Sequence, residues 1–547
     1  MSDLLRAELA RVAASLGADG IEFVLERPRD AGHGDLATNL AMVVARRERV
    51  NPRQTAERVV GALQLPAGVV ARTEIAGPGF INFWLAENQL AAAHRRILDE
   101  GERYGRAAGR ALKVNVEFVS ANPTGPLHVG HGRGAALGDA IASLLEAVGH
   151  RVTREFYIND AGLQIDRVAQ SLWARVRQEA GLPAEIPDGG YHGDYLRENA
   201  RAVLALEGAE FARLPDEEGI RRSREHALRI QREEQDRDLA DFGVRFEVMT
   251  SEQSVYDAGR VDRALALLAE RGLTYESDGA LWLRTTEFGD DKDRVLRKGD
   301  GSYTYLVPDI AYHLDKHDRG FDRAIDVWGA DHHGYIPRMT AVLLALGLPP
   351  EFFQVELVQL VKVVRGGEEV KMSKRSGEFV TLRELVEEVG VDAARYFFLM
   401  KKGATPLDFD VDKAKTQTEE NPVFYVQMAH ARLSGIFRTA EREPESVTGE
   451  LDLAALPAPQ DSELLKTIVT WPEVVERAAR EREPHRITAF LHDELAPVVH
   501  GWYHHTRAVG APEGPATEQA RLLLASAART VFANALTLLG ISAPDRM

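Results

Sequence analysis

Apolar residues recur every three to four positions over Leu4–Leu16, where Leu5, Leu9, Val12 and Leu16 share one face of a surface helix. The next stretch, Ile21–Glu26, alternates as a strand does. Asp30–Leu36 reads as a loop, Ala37–Arg46 and Thr55–Leu63 as helices, and the turn Ala76–Gly79 leads into a strand over Phe80–Leu85. A helix over Leu90–Gly101 follows, then a glycine-bearing linker to Ala111. This predicts a small α+β domain over residues 1–108.

A different rhythm follows. Leu112–Ser120 is a β-branched strand stopped by Ala121-Asn122-Pro123-Thr124-Gly125-Pro126. A helix over Ala135–Val148 closes at Gly149, and Arg151–Ile158 is a second strand. Strand, glycine-rich turn, helix and strand form the βαβ unit of a doubly wound nucleotide-binding sheet. Residues 180–260 are charged and helical in pattern and read as an insertion. The sheet is expected to resume with Ala280–Thr285, Tyr303–Val307, Ala324–Trp328 and Phe353–Val358. From Leu382 onward nearly everything has helical period. The expected fold is a Rossmann-type parallel α/β catalytic domain (109–385), an N-terminal α+β domain and a C-terminal all-α bundle (386–547).

Composition narrows the chemistry. The 547 residues include no cysteine, which excludes disulfides, thiolate metal sites and a thiol nucleophile. The net charge of −17 leans against a nucleic-acid partner, but 67 Lys and Arg leave room for a local basic groove. The N-terminal helix is amphipathic rather than a signal peptide, and the apolar run Ala341–Leu348 is too short to span a bilayer. A cytoplasmic chain without membrane contact is expected.

Two strings carry candidate chemistry. Pro126–Gly132 places His128 and His131 at the start of a helix with Gly125, Gly130, Gly132 and Gly134, where backbone can approach phosphate and the helix N-terminus favours negative charge. A metal pair, or a glycine-rich helix start without chemistry, is the plainer alternative. About 240 residues later, Lys371-Met372-Ser373-Lys374 sits between Arg365-Gly366-Gly367 and Ser376-Gly377. Two ammonium groups on such a loop can clamp a departing pyrophosphate, with Ser373 adding a hydrogen bond; a solvated basic loop is the alternative. Together the strings suit activation of a carboxylate by ATP.

The pair Pro126–His131 and Lys371–Lys374 resembles the signature motifs of class I aminoacyl-tRNA synthetases. Val116–His131, Gly34–Asn39, Asn421–Arg432 and the ending Leu539–Met547 resemble the arginyl-tRNA synthetase branch over the whole chain, with Val129 where the first motif is named for isoleucine. The resemblance implies adenylation of L-arginine by Mg-ATP and transfer to the 2′-hydroxyl of the terminal adenosine of tRNA(Arg), usually with tRNA needed for activation. It implies catalytic roles for His128, His131, Lys371 and Lys374, and ATP contacts from these histidines with Gly130, Gly132, Met372 and Ser373. Glu117, Asn122, Tyr305, Asp309 and His332 would bind arginine; Asp35, Tyr425, Gln427 and Arg432 would face tRNA. Asp331-His332-His333 stays open between a metal triad and a place near adenosine or the substrate side chain. Mg²⁺ is expected with ATP, no structural metal is expected, and the working form is expected to be a monomer. The rivals are another class I synthetase, against which the lack of cysteine and the acidic pair Glu117 and Asp309 count, a small-metabolite nucleotidylyltransferase, which would not need about 160 helical C-terminal residues, and an inactive tRNA-binding relative.

Overall fold

The computed structural model describes residues 2–547 apart from 27, 29, 30, 67, 108, 110, 161 and 371–379. The Lys371–Lys374 string therefore lies outside the described residues.

At the centre is a parallel sheet of β1 (Lys113–Glu117), β2 (Arg151–Ile158), β3 (Val248–Ser251), β4 (Arg323–Gly329) and β5 (Phe353–Val358), in the order β5-β4-β1-β2-β3. Chain direction around the sheet reverses between β1 and β4, and open α/β sheets bind ligands in the crevice at that switch point. Helix α1 (Val129–Ala147) packs on one face, in an apolar core continuous with the C-terminal helices. Helix α3 (Leu306–Asp318) and the helix Ile336–Ala345 cover the other, in a second core. Between β2 and β3 the chain inserts a third cluster, built from helices Leu163–Glu179, Tyr195–Glu207 and α2 (Asp216–Asp241). The N-terminal domain has its own core under an antiparallel sheet of Leu25–Glu26, Leu36–Thr38, Phe80–Leu85 and Val70–Ala76. No helix among the described residues is long and apolar enough to cross a membrane.

Several sequence expectations need correction. Tyr303–Val307 is not a strand: Leu306 opens α3, whose Val307, Ile310, Ala311 and Leu314 are buried at helical spacing, and Pro308 fits a first turn that needs no N–H donor. Ala280–Leu283 does not rejoin the central sheet. It pairs antiparallel with Thr274–Ser277 through a two-residue Asp278-Gly279 turn, both residues at positive φ, and with Arg294–Arg297 on its other side. The third strand, β3, lies inside the stretch read as insertion, and Leu36–Thr38 is a strand where a helix was expected from Ala37. The first helix of the sheet domain begins at Val129, not Ala135, because His128 caps it.

Candidate active site

Strand β1 ends at Glu117 rather than at Ser120. Val119 and Ser120 turn into the left-handed region, φ 70° and 40°, an uncommon conformation for a β-branched residue that concentrates at functional sites. The turn brings Ser120 Oγ to donate to Glu117 Oε1 at 2.9 Å and to accept from Tyr157 N–H at 3.2 Å. Beside it, at the carboxyl ends of β1 and β4, is a cavity of about 410 Å³ lined by Glu117, Asn122, Glu252, Asp309, His332 and Tyr335, among others.

Its charges fall into two sets. Parallel register places Asp326 opposite Glu117. Fully buried Lys316 sits between them, donating to Glu117 Oε2 at 2.6 Å and to Asp326 Oδ1 at 2.9 Å. His313 Nε2 lies 2.8 Å from the other Asp326 oxygen, and its Nδ1 is 2.8 Å from the Asp309 carbonyl. Glu117, His313 and Asp326 have donor atoms within 4.8 Å of one another, spacing that suits a metal, but the ammonium of Lys316 is already bonded to both carboxylates. Burial opposes the Lys316 charge, yet Asp326 and Glu117 outweigh it and raise its pKa. Burial would raise Asp326 too, but Lys316 and His313 hold it below the usual carboxylate range. Burial pushes Glu117 up against the pull of Lys316.

The second set has no ion-paired cation among the described residues, and His313 is the one basic group that draws on it, lowering Asp309 against its burial. Asp309 accepts from Tyr335 OH at 2.7 Å, and burial lifts its pKa to about 6. Glu252 makes no ion pair among the described residues; burial, with Asp309 and Asp160 nearby, lifts it to about 7. A cavity with two carboxylates, neither in an ion pair among the described residues, is complementary to a cationic side chain.

The histidine pair lies at the mouth of α1. His128 Nδ1 accepts from Gly130 N–H at 3.1 Å and His131 N–H at 3.3 Å, while His131 Nδ1 accepts from His128 N–H at 3.3 Å. The rings stack at 3.6 Å. With each Nδ1 accepting, each ring carries its proton on Nε2. Burial lowers both pKa values, that of His131 to about 3 with His128 adding to the effect, so both rings are neutral near pH 7. Of the glycines here, Gly132 makes room for packing: a Cβ would come within 2.6 Å of Leu382 and 3.2 Å of Phe398.

Other expected residues sit as follows. Asn122 lines the cavity, donating to Gln164 at 2.5 Å and accepting from Asn159 at 2.8 Å. Tyr305 is 82% exposed at the rim. Asp331, His332 and His333 are all exposed on the short turn Ala330–Tyr335 and form no metal-type cluster. Asp35 faces inward, accepting from Leu85 N–H at 2.8 Å and pairing with Lys466 at 2.7 Å. The Gln427 amide donates to Asp392 at 2.8 Å and the Ser542 carbonyl at 2.9 Å. The Tyr425 ring lies 4.5 Å from that of His500, tilted by 48°, and Arg432 donates to the same imidazole. Lys316, Asp326, His313, Tyr335 and Glu252 were not anticipated from sequence. Their only signal is burial of ionisable groups on β4, α3 and its neighbours, which no local pattern announces.

Fold and histidine pair together define a class I aminoacyl-tRNA synthetase, and residues 94–435 match the family model described as tRNA synthetases class I (R), catalytic domain. Residues 1–85 match the arginyl tRNA synthetase N terminal domain and residues 426–547 the DALR anticodon binding domain. The chain is 49% identical to an arginine–tRNA ligase of Geobacillus kaustophilus, over 100% of this chain and 98% of that one. It is 51% identical to one of Syntrophotalea carbinolica, over 96% and 95% respectively. The solved arginyl-tRNA synthetase of Thermus thermophilus superposes with a TM-score of 0.80 at 25% identity, covering 99% of each chain. This chain belongs to the arginyl-tRNA synthetase family.

Proposed function

We propose that this chain charges tRNA(Arg) with L-arginine in two steps at the cavity above β1 and β4. The arginine carboxylate attacks the α-phosphate of ATP, giving arginyl-adenylate and pyrophosphate. The 2′-hydroxyl of the terminal adenosine of tRNA then attacks the arginyl carbonyl and releases AMP. Neither step needs an enzyme nucleophile, in keeping with a chain that has no cysteine. Catalysis is positioning and charge stabilisation. The observation that carries this reading is the carboxylate pair Asp309 and Glu252, neither in an ion pair among the described residues, with Tyr335 orienting Asp309.

In this reading Asp309 and Glu252 take the guanidinium, whose planar donors match a carboxylate. Tyr305 and His332 close over it from the rim. Glu117 and Asn122 meet the α-ammonium and carboxylate, and Lys316 keeps Glu117 turned to the cavity. The Nε2 protons of His128 and His131 serve the phosphates, and Lys371 and Lys374, with Met372 and Ser373, neutralise the departing pyrophosphate. Gly130 lets the α1 turn approach the nucleotide. Mg²⁺ enters with the phosphates.

Residues 1–108 meet the tRNA elbow and residues 386–547 the anticodon. Tyr425 and Arg432 are the bundle's tRNA contacts, because stacking and edge hydrogen bonds read unpaired bases. Asp35 and Gln427, with their polar atoms turned inward, shape the RNA-binding surfaces rather than touch RNA. The chain works as a cytoplasmic monomer, and it activates arginine only with tRNA bound.

The test is charging with arginine against citrulline, which keeps the shape and replaces the cation by a neutral ureido group. Arginine is charged and citrulline is not. Equal charging of the two would overturn the assignment of Asp309 and Glu252.

A further inference from the structure

The helices between β2 and β3 have no assigned task in the reading above, yet they touch the loop that enters the histidine helix. Along α2 the buried positions Gly219, Ser223, Ala227, Gln231, Gln235 and Asp238 recur every three to four residues, one continuous face. That face is polar toward its C-terminal end. Gln235, 1% exposed, donates from a single amide nitrogen to two carbonyls, Asn122 at 3.1 Å and Gly125 at 3.2 Å. The carbonyl between them, that of Thr124, accepts from Tyr195 OH at 2.6 Å, and Tyr195 opens the neighbouring inserted helix. One turn on from Gln235, Asp238 accepts from Arg383 Nε at 2.7 Å, on the helix Leu382–Val389 that follows residues 371–379.

An irregular loop flanked by Pro123 and Pro126 has few donors of its own, and its carbonyls must be satisfied by some neighbour. The Asn122 carbonyl accepts from Thr124 N–H at 2.8 Å within the loop, and the carbonyls of Asn122, Thr124 and Gly125 all accept from the insertion. The loop carries the Asn122 side chain into the cavity and ends two residues before His128. We infer that Gln235 and Tyr195 are positioning residues for arginine activation, fixing the 122–126 loop in the shape that places Asn122 at the substrate and His128 at the phosphates. The inference rests on the functional reading above. It gives the insertion a second role besides its own core: α2 ties the loop before the histidines, through Gln235, to the segment after the Lys371–Lys374 string, through Asp238 and Arg383.

The experiment compares the full-length parent with Gln235→Leu and Tyr195→Phe in aminoacylation, measuring KM for arginine, KM for tRNA and kcat, with thermal melting alongside. Displacement of a substrate-holding group by about an ångström costs on the order of a hundredfold in rate. Gln235→Leu is therefore expected to raise KM for arginine about fivefold or more and lower kcat about tenfold or more, with KM for tRNA unchanged; Tyr195→Phe moves both in the same direction by less. A fall in kcat alone, with KM for arginine unchanged, would reflect lost active fraction and would overturn the inference, as would wild-type kinetics in both variants. If Gln235→Leu does not fold, Tyr195→Phe, which removes one hydroxyl and keeps the ring, decides by the same criterion. A parent that fails to charge arginine would overturn the functional reading itself, whereas a working parent with indifferent variants overturns the positioning role alone.

Discussion

Asp309 shows what a single residue contributes. Its carboxylate is oriented by Tyr335 and, among the described residues, is in no ion pair, the one nearby basic group acting on it being His313, whereas Glu117 and Asp326 share Lys316. Asp309→Asn keeps the shape and the Tyr335 contact but removes the charge. Losing one partner of a buried charge pair costs about 2–5 kcal/mol, so kcat/KM for arginine should fall roughly 30- to 4000-fold, with the melting temperature of the free protein not lowered. Steady-state kinetics and melting together check this, and a loss under threefold would contradict it. The same site sets a pH dependence. Burial raises the pKa values of Asp309 and Glu252 to about 6 and about 7, and a cationic substrate favours their ionised forms. Arginine affinity should therefore level off above pH 8 and weaken by roughly tenfold per pH unit for each carboxyl that has taken up a proton. For the free fold the sign is opposite: groups raised in the folded state stabilise it at low pH, and that contribution is lost as pH rises through 6 to 7. Arginine should then raise the melting temperature more at pH 8 than at pH 6. Equal shifts at the two pH values would contradict it. At this scale Glu117, Asn122 and Asp309 were legible because their strings resemble a family's motifs. Lys316 was not, since in sequence it sits at the polar end of a helix beside His317, Asp318 and Arg319, and only the β1–β4 register makes it a buried bridge.

At the scale of elements, α1 depends on small residues for close contact. A Cβ at Gly138 would lie 2.2 Å from the Phe118 ring, and Phe118 is fully buried beyond the end of β1. Gly138→Ala must push helix and strand exit apart, at a cost of about 1–3 kcal/mol that thermal unfolding would register; an unchanged melting temperature would contradict this packing. The elements found correctly from sequence are those whose period runs long enough to be unambiguous: β2 at Arg151–Ile158 and Phe80–Leu85 match the expected bounds. Those missed are short or decided by tertiary contact. Strand β3 is four residues long and pairs only because β2 lies beside it. The Asp278-Gly279 hairpin did carry a readable signal, since that dipeptide favours the turn it forms.

For the whole molecule, the apolar core runs without a break from the helix Glu87–Glu100 through α1 into the C-terminal bundle. Fully buried Arg395 marks the junction. It donates to Asp139 on α1 at 2.6 Å, to the Phe242 carbonyl just past α2 at 3.2 Å and to the Leu539 carbonyl at the end of the last helix at 2.9 Å. Arg395→Met leaves Asp139 without this partner and two carbonyls without a donor. Asp139 keeps Arg154 at 3.0 Å, so the cost falls mainly on the two carbonyls, about 1–3 kcal/mol each, and the urea midpoint should fall below that of the parent; an unchanged midpoint would contradict the hub. A three-part organisation could be anticipated from changes of rhythm along the chain, but not the joining of two parts in one core, because Arg395 reads as an ordinary residue of an amphipathic helix.

The most direct measurement is aminoacylation of total tRNA with each of the twenty amino acids by the full-length chain. The account predicts charging with arginine alone, and ATP–pyrophosphate exchange with arginine that appears only when tRNA is present. Charging with any other amino acid at a comparable rate, or no charging with arginine, would contradict its central claim.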